Sequence, residues 1–311
     1  MRLVLALQAG MLRYRAKNLF LALERRVNRS RLARKKEKGS RGSSLSGFLA
    51  YHSICRKERI PACLQGEVVR EADFSAQLDQ LLQSGFRFLS LEEWMSRLQP
   101  PRTVVLTFDD GYSGIFHQVF PLLEKYRIPA TIFLTTGFLN NQVRPPWDSP
   151  SRELQRAFHR TSSLWQPLQW GQVREMATTG RIEFGSHGCS HRRLGRLPAA
   201  EVKRELLLSR EEIERQTGRP VRTFSYPFGV GRYGAYRSDL EKELREAGYM
   251  AACTGEEGRP AAQTNPFFLP RFPVRLGDTG TDLEGRLAGL SDWTSRCQHI
   301  FHRLFTGSHG D

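Results

Sequence analysis

Thr103-Val104-Val105-Leu106-Thr107-Phe108-Asp109-Asp110-Gly111-Tyr112 is an apolar, β-rich run that ends in two adjacent acids and a glycine. It reads as a buried strand that carries two carboxylates to its C-terminal rim. Adjacent side chains on a strand point to opposite faces, but a strand that stops here lets the following turn aim both acids inward. Taken alone, the same letters also fit an Asp-Asp-Gly turn between a strand and a helix.

A second stretch changes that balance. Glu183-Phe184-Gly185-Ser186-His187-Gly188-Cys189-Ser190-His191 is another short strand-like run, and it ends in two histidines four apart. Two imidazoles and one carboxylate suffice for a three-ligand divalent metal site with open positions for water and substrate. The other carboxylate is then free to act as a base. Gly188 and Ser190 intervene, so the pair is expected on a loop or first turn rather than along one helix face. The thiol of Cys189, between the histidines, is an alternative ligand.

Working outward, Ile115, Val119, Leu122, Leu123 and Tyr126 mark an amphipathic helix that Pro121 kinks or restarts. Ala130–Thr136 follows as a strand, which completes a βαβ unit with the acids at its rim. Phe48–His52 reads as the first core strand. Residues 56–70 read as loop, Asp73–Leu82 as helix, and Phe86–Leu89 as strand. Ser90 and Glu93 form a capping box. Residues 140–169 read as irregular, with Trp147 and Trp165 placed either to stack on sugars or to pin the loop. A long helix from Leu197-Pro198 to Gln216 ends at Gly218, and a strand over Arg222–Tyr226 delivers Pro227-Phe228-Gly229 to the rim. Leu269–Val274, with its prolines, fits an edge strand. Strand–helix alternation alone allows a closed barrel or an open sheet.

These motifs resemble the polysaccharide deacetylases, the NodB-homology carbohydrate esterases. Asp109-Asp110-Gly111 and the His187/His191 pair carry the likeness. Phe224-Ser225-Tyr226-Pro227-Phe228-Gly229 and Tyr51-His52-Ser53-Ile54 add weaker matches in the expected order. The resemblance covers roughly residues 46 to 290 and implies an α/β fold, a distorted (β/α) barrel. It implies de-N-acetylation of an N-acetylhexosamine-containing polysaccharide or glycan precursor by a divalent metal held by Asp110, His187 and His191. Zinc suits that donor set best, and nickel, cobalt or iron accept it too. Asp109 is then the general base and the backbone N–H of Tyr112 an oxyanion donor. His52 is the candidate proton donor, and Tyr226, Pro227 and Phe228 line the rim. Two departures stand out. Ser225 occupies the place of an arginine that orients the catalytic aspartate in better-known members, and Arg271 is the residue that can substitute. No Leu-x-His pair matches the last motif, since His299 and His302 lie in another context. These departures resemble the exopolysaccharide branch. The rival readings are a small-molecule deacylase or C–N hydrolase and a glycan-binding protein with a decayed site.

Bulk properties bound the rest. The 311 residues fit one large domain or two small ones, with 39% apolar residues for a core. Residues 1–44 hold thirteen Lys or Arg against Glu24 and Glu37, so +11 of the net +15 sits in this segment. The expected organisation is a basic helix and flexible linker over 1–45, a catalytic domain over 46–290, and a C-terminal helix and tail over 291–311. Residues 1–34 lack both the apolar length to span a membrane and a clear signal-peptide cleavage site. They read either as a basic helix on an anionic membrane surface or as a solvated extension. The expected location is therefore cytoplasmic or peripheral on the inner membrane face. No aromatic interleaving or known module supports nucleic-acid binding. Five cysteines without framework spacing argue against a disulfide scaffold.

Overall fold

The computed structural model describes residues 46–56, 60–61, 64–96, 101–140, 142, 156, 161–261 and 263–290. The expected N-terminal helix and linker, Trp147 and the C-terminal helix lie outside the described residues. One compact unit spans Ser44–Gly280; a second comprises Met1–Ser43 and Thr281–Asp311, of which only 281–290 are described.

The strands, in chain order, are β1 (Ser46–Tyr51), β2 (Ser53–Cys55), β3 (Val68–Arg70), β4 (Arg87–Leu89), β5 (Thr103–Phe108), β6 (Ala130–Leu134), β7 (Ile182–Ser186), β8 (Thr223–Ser225), β9 (Ala251–Cys253) and β10 (Phe272–Pro273). Between them run α1 (Glu71–Gln83), α2 (Leu91–Ser96), α3 (Phe120–Tyr126), α4 (Thr136–Leu139), α5 (Trp170–Thr178), α6 (Ala199–Thr217) and α7 (Leu240–Glu246). The main sheet is parallel, in the order β10-β1-β5-β6-β7-β8-β9, with β4 also pairing β5. The terminal strands β9 and β10 share no ladder. A single bridge, Cys253 to Leu269, joins β9 to the segment before β10. The sheet is thus curled and open, a half-barrel. Pro273 lies in the edge strand β10, and proline cannot donate to a ladder.

Residues 56–70 are not wholly loop. Val68–Arg70 pairs in parallel with Ser53–Cys55 as a small second sheet. Three-residue strands are too short to show a period, which is why the sequence reads there as loop. The helix after β5 restarts as its proline predicts. A π-helical turn over Ile115–Val119 precedes α3, where Pro121 sits in the first turn and its missing N–H costs nothing.

Every residue of β5 is buried. Period two places Val105, Thr107 and Asp109 on one face, and Glu183, Gly185 and His187 on one face along β7. Val105 joins Phe48, Phe133, Leu89, Trp94, Cys253 and Leu269 in an apolar plug inside the curl. Gly185 makes room for it: a Cβ there would lie 2.5 Å from the Phe133 ring. Both inner faces end in polar side chains at their C-terminal rim, where β5 delivers Asp109 and β7 delivers His187.

Candidate active site

The turn after β5 aims both acids. Asp109 continues the strand, its N–H donating to the Tyr51 carbonyl at 2.9 Å. Asp110 (φ 71°) and Gly111 (φ 80°) are then both left-handed, and the chain reverses. Such a φ is costly for aspartate and persists where the surroundings over-determine it. Gly111 has no alternative residue, since a Cβ would also lie 2.9 Å from Leu134 Cδ2. Both carboxylates are buried, at 3% and 5% exposure.

Asp110, His187 and His191 converge, their donor atoms all within 4.8 Å of one another. Asp110 Oδ1 lies 3.4 Å from His187 Nε2 and 3.1 Å from His191 Nε2. Tetrahedral ligands about 2.0–2.1 Å from zinc stand about 3.3 Å apart, so these separations fit a shared ion. The protonation pattern supports the fit. His187 Nδ1 is 2.7 Å from the Ser225 carbonyl, which can only accept, so Nδ1 carries the hydrogen and the neutral ring has its lone pair on Nε2. Asp110 Oδ1 is buried and has no hydrogen-bond partner among the described residues. Lone pairs that face one another in a buried space call for a cation. Burial pushes the Asp110 carboxyl upward, but positive charge at this point, carried by the two rings when they are protonated, outweighs it and holds the carboxyl well below the ordinary carboxylate range. Cys189 is not in the cluster; its Sγ contacts the Glu205 carbonyl, and burial pushes the thiol up to about 11. A thiol so hard to ionise is a poor ligand.

The histidine loop is clasped from α6. Glu205 Oε2 accepts from Cys189 N (2.7 Å) and Ser190 N (3.0 Å), and Ser190 Oγ donates to Oε1. Gly188 and Cys189 in turn offer their carbonyls to Thr136 N and Gly137 N at the start of α4. These bonds hold His191 at a left-handed φ of 53°. Glu205 escaped the sequence reading, although a signal was present. It lies one position before Leu206 and four before Ser209 on the buried stripe of α6, where an unpaired Glu is unusual.

Asp109 is held differently. Arg271 grips it with two parallel bonds, Nη1 to Oδ1 at 2.8 Å and Nη2 to Oδ2 at 2.7 Å. Arg271 also donates to Thr107 Oγ1, Ser225 Oγ and the Thr254 carbonyl. Ser225 Oγ donates to Asp109 Oδ2 at 3.2 Å. The late arginine therefore reaches the aspartate across 162 residues of chain, through space left by the small Ser225. Burial pushes Asp109 upward, but the Arg271 guanidinium overrides it and brings the carboxyl down to about 2.

His52 follows β1, whose Tyr51 pairs with Phe108, so it stands beside Asp109 at the rim. Its Nδ1 lies 3.4 Å from Glu67 Oε2. Burial lowers its pKa, but the carboxylates of Glu67, Asp110 and Asp109 outweigh that and leave it above the ordinary histidine value. Tyr112 is nearly sealed (1% exposed). Its neighbours bond the facing strand, Leu168 N to the Gly111 carbonyl and Ser113 N to the Gln166 carbonyl. The Tyr112 N–H consequently points away from that strand and has no partner among the described residues.

The remaining expected residues divide. Trp165 is 2% exposed, donates to Thr161 Oγ1 and meets the Tyr112 ring edge-on at 5.2 Å. It pins the loop and offers no open face to a sugar. Tyr226 is equally buried and packs on Tyr236 and Phe268. Pro227 is buried too, whereas Phe228 is 42% exposed, left-handed (φ 66°), and 4.8 Å from the His191 ring.

The family model for polysaccharide deacetylases matches residues 97–252. This chain belongs to the polysaccharide deacetylase family. It is 23% identical over 242 residues to the poly-beta-1,6-N-acetyl-D-glucosamine N-deacetylase of Staphylococcus aureus (strain MSSA476), covering 74% of this chain and 73% of that protein. Two solved structures share its fold. The Streptococcus pyogenes deacetylase PplD in complex with acetate aligns with a TM-score of 0.64 at 22% identity, covering 78% of this chain and 97% of that one. IcaB from Ammonifex degensii aligns at 0.61 and 23%, with the same coverage. Family membership and the Asp-His-His cluster make this deacetylase a metal-dependent hydrolase of C–N bonds in acetylated sugars. No described helix is long and apolar enough to cross a membrane.

Proposed function

We propose that this chain removes N-acetyl groups from an N-acetylhexosamine-containing polysaccharide or glycan precursor, with Asp110, His187 and His191 as ligands and Asp109 as general base. The observation that carries the reading is the division between two adjacent aspartates. One has an unpartnered oxygen facing two imidazoles, and the other is gripped by a buried arginine. The Staphylococcus relative, which is named for the same reaction on such a polymer, supports it.

When bound, the metal, zinc by the best fit of the donor set, polarises the acetamide carbonyl and eases deprotonation of water. Asp109 accepts the proton of the attacking water. Arg271 fixes the direction of its lone pairs and keeps it ionised. The Tyr112 N–H donates to the oxygen on which negative charge develops. His52, whose neighbouring carboxylates favour its protonated form, delivers a proton to the leaving amine. Phe228 offers a partly exposed ring to the sugar beside the metal. Residues 1–34 provide a peripheral contact with an anionic membrane, which fits a substrate at the inner membrane face.

Acetate release from a panel of N-acetylhexosamine oligomers, measured with metal-loaded protein, tests the function. Release that rises with oligomer length is expected. Release from small N-acetylated non-sugars alone would overturn the polysaccharide reading.

A further inference from the structure

The rim beside His191 carries a positive charge, that of Arg193, which pairs with no carboxylate among the described residues. Arg193 lays its guanidinium over the Phe228 ring, 3.6 Å from the centroid, and the His191 ring lies 4.8 Å from that same ring. The guanidinium thus stands one aromatic ring away from a metal ligand. Its Nε is buried without a partner, and no carboxylate pairs with it among the described residues. Other fixed arginines differ. Arg181 is paired with Glu124, Arg222 with Glu92, and Arg271 with Asp109.

The backbone under Arg193 is built rather than loose. A 3₁₀ turn over Leu194–Arg196 follows it, with Leu194 sealed in the core. Arg237 donates to the carbonyls of Leu194 and Leu197, and Gly195 N donates to the Ala235 carbonyl. Arg196, exposed and likewise without a carboxylate among the described residues, adds a second charge to the turn. A planar cation fixed on a ring face, with no carboxylate paired to it among the described residues, matches a carboxylate or phosphate group.

We infer that Arg193, seated on Phe228, forms a subsite for an anionic substituent of the glycan, carried on or next to the N-acetylhexosamine that faces the metal. The inference rests on the deacetylase reading and narrows its substrate to a charged rather than a neutral polymer. Arg193 touches the substituent and does not take part in the proton transfers.

The test compares three N-acetylglucosamine oligomers of one length: neutral, uronate-bearing and phosphate-bearing. Metal-loaded wild type, Arg193→Gln and Arg193→Lys are assayed for acetate release. Binding of the deacetylated forms of the same oligomers, and of sodium acetate, is measured by calorimetry. Wild type is expected to favour at least one anionic oligomer about tenfold or more in kcat/KM. Arg193→Gln is expected to lose that preference with neutral turnover within about twofold, and Arg193→Lys to fall between. The oligomer that responds separates carboxylate from phosphate. Equal wild-type turnover of all three, or equal losses on all three in Arg193→Gln, would overturn the subsite and leave the deacetylase reading intact. So would an Arg193 dependence confined to free acetate, which would assign the arginine to the product. Should wild type release no acetate from any oligomer, the deacetylase reading fails. The binding arm then decides the subsite alone: an anion preference lost in Arg193→Gln supports it, and equal binding of all oligomers overturns it.

Discussion

Asp109 and Asp110 are neighbours in sequence and opposites in environment. The residue that separates them is Arg271, whose fork only Asp109 receives. Arg271→Lys replaces two parallel bonds by a point charge, so Asp109 keeps a cation but loses its direction. Acetate release should fall about 10²- to 10³-fold in kcat with KM changed less than threefold, as steady-state kinetics would show. The same pair sets the pH profile. Asp109 titrates near pH 2, so it stays ionised through the working range and imposes no acid limb of its own above that value. His52 must be protonated to donate, and its pKa is raised. Activity should therefore fall as pH rises through that raised value, and His52→Gln should abolish this alkaline limb while slowing the reaction about 10²-fold. A limb that persists in His52→Gln would assign the proton to another group.

At the scale of elements, the site is an assembly of strand ends and one helix. Glu205 joins them, since it holds the histidine loop on α6 through two backbone N–H groups and one hydroxyl. Glu205→Ala should weaken metal binding about ten- to a hundredfold in a competition titration, with the fold retained. Much of this was legible in the sequence. The β5 run, its acids and the histidine pair follow from apolar patterning and ligand chemistry over a few residues. The Ser90–Glu93 capping box also stands as read, Glu93 N to Ser90 Oγ and Ser90 N to Glu93 Oε2. What was not legible depends on distance along the chain. Whether Arg271 reaches Asp109 is decided by how β1 pairs β10, and no local pattern carries that. Trp165 shows the complementary limit: its letter fits a sugar platform as well as the loop pin that it proves to be, and burial separates them.

At the scale of the molecule, parallel strands gather the chemistry at one end of the curl and leave a second polar layer at the other. Alternation predicts strands but not lateral closure, so it left barrel and open sheet undivided, and only the family resemblance pointed to a distorted barrel. At the far end Glu183 accepts from Glu92 N (2.8 Å) and Thr223 Oγ1 (2.6 Å), and burial pushes its carboxyl up to about 7. A raised acid favours the folded state while it is protonated. Its contribution is full below the unfolded value near 4.5 and is lost as pH rises through about 7, on the order of 3 kcal/mol. Between pH 5 and 8 the melting temperature of the wild type should fall by several degrees relative to Glu183→Gln, which cannot ionise. Parallel melting curves would contradict this. Removal of residues 1–44 takes away +11 of the charge and leaves the catalytic unit. It should abolish flotation with anionic vesicles at low salt while acetate release stays within twofold.

The central claim is that adjacent aspartates divide the labour, Asp110 holding the metal and Asp109 moving the proton. Asp109→Asn tests it most directly, with metal content and acetate release measured on one preparation. The account predicts about one divalent ion per chain, bound as in the wild type, and acetate release slowed at least about 10³-fold. A variant that kept its activity within a few fold, or that lost its metal, would contradict it.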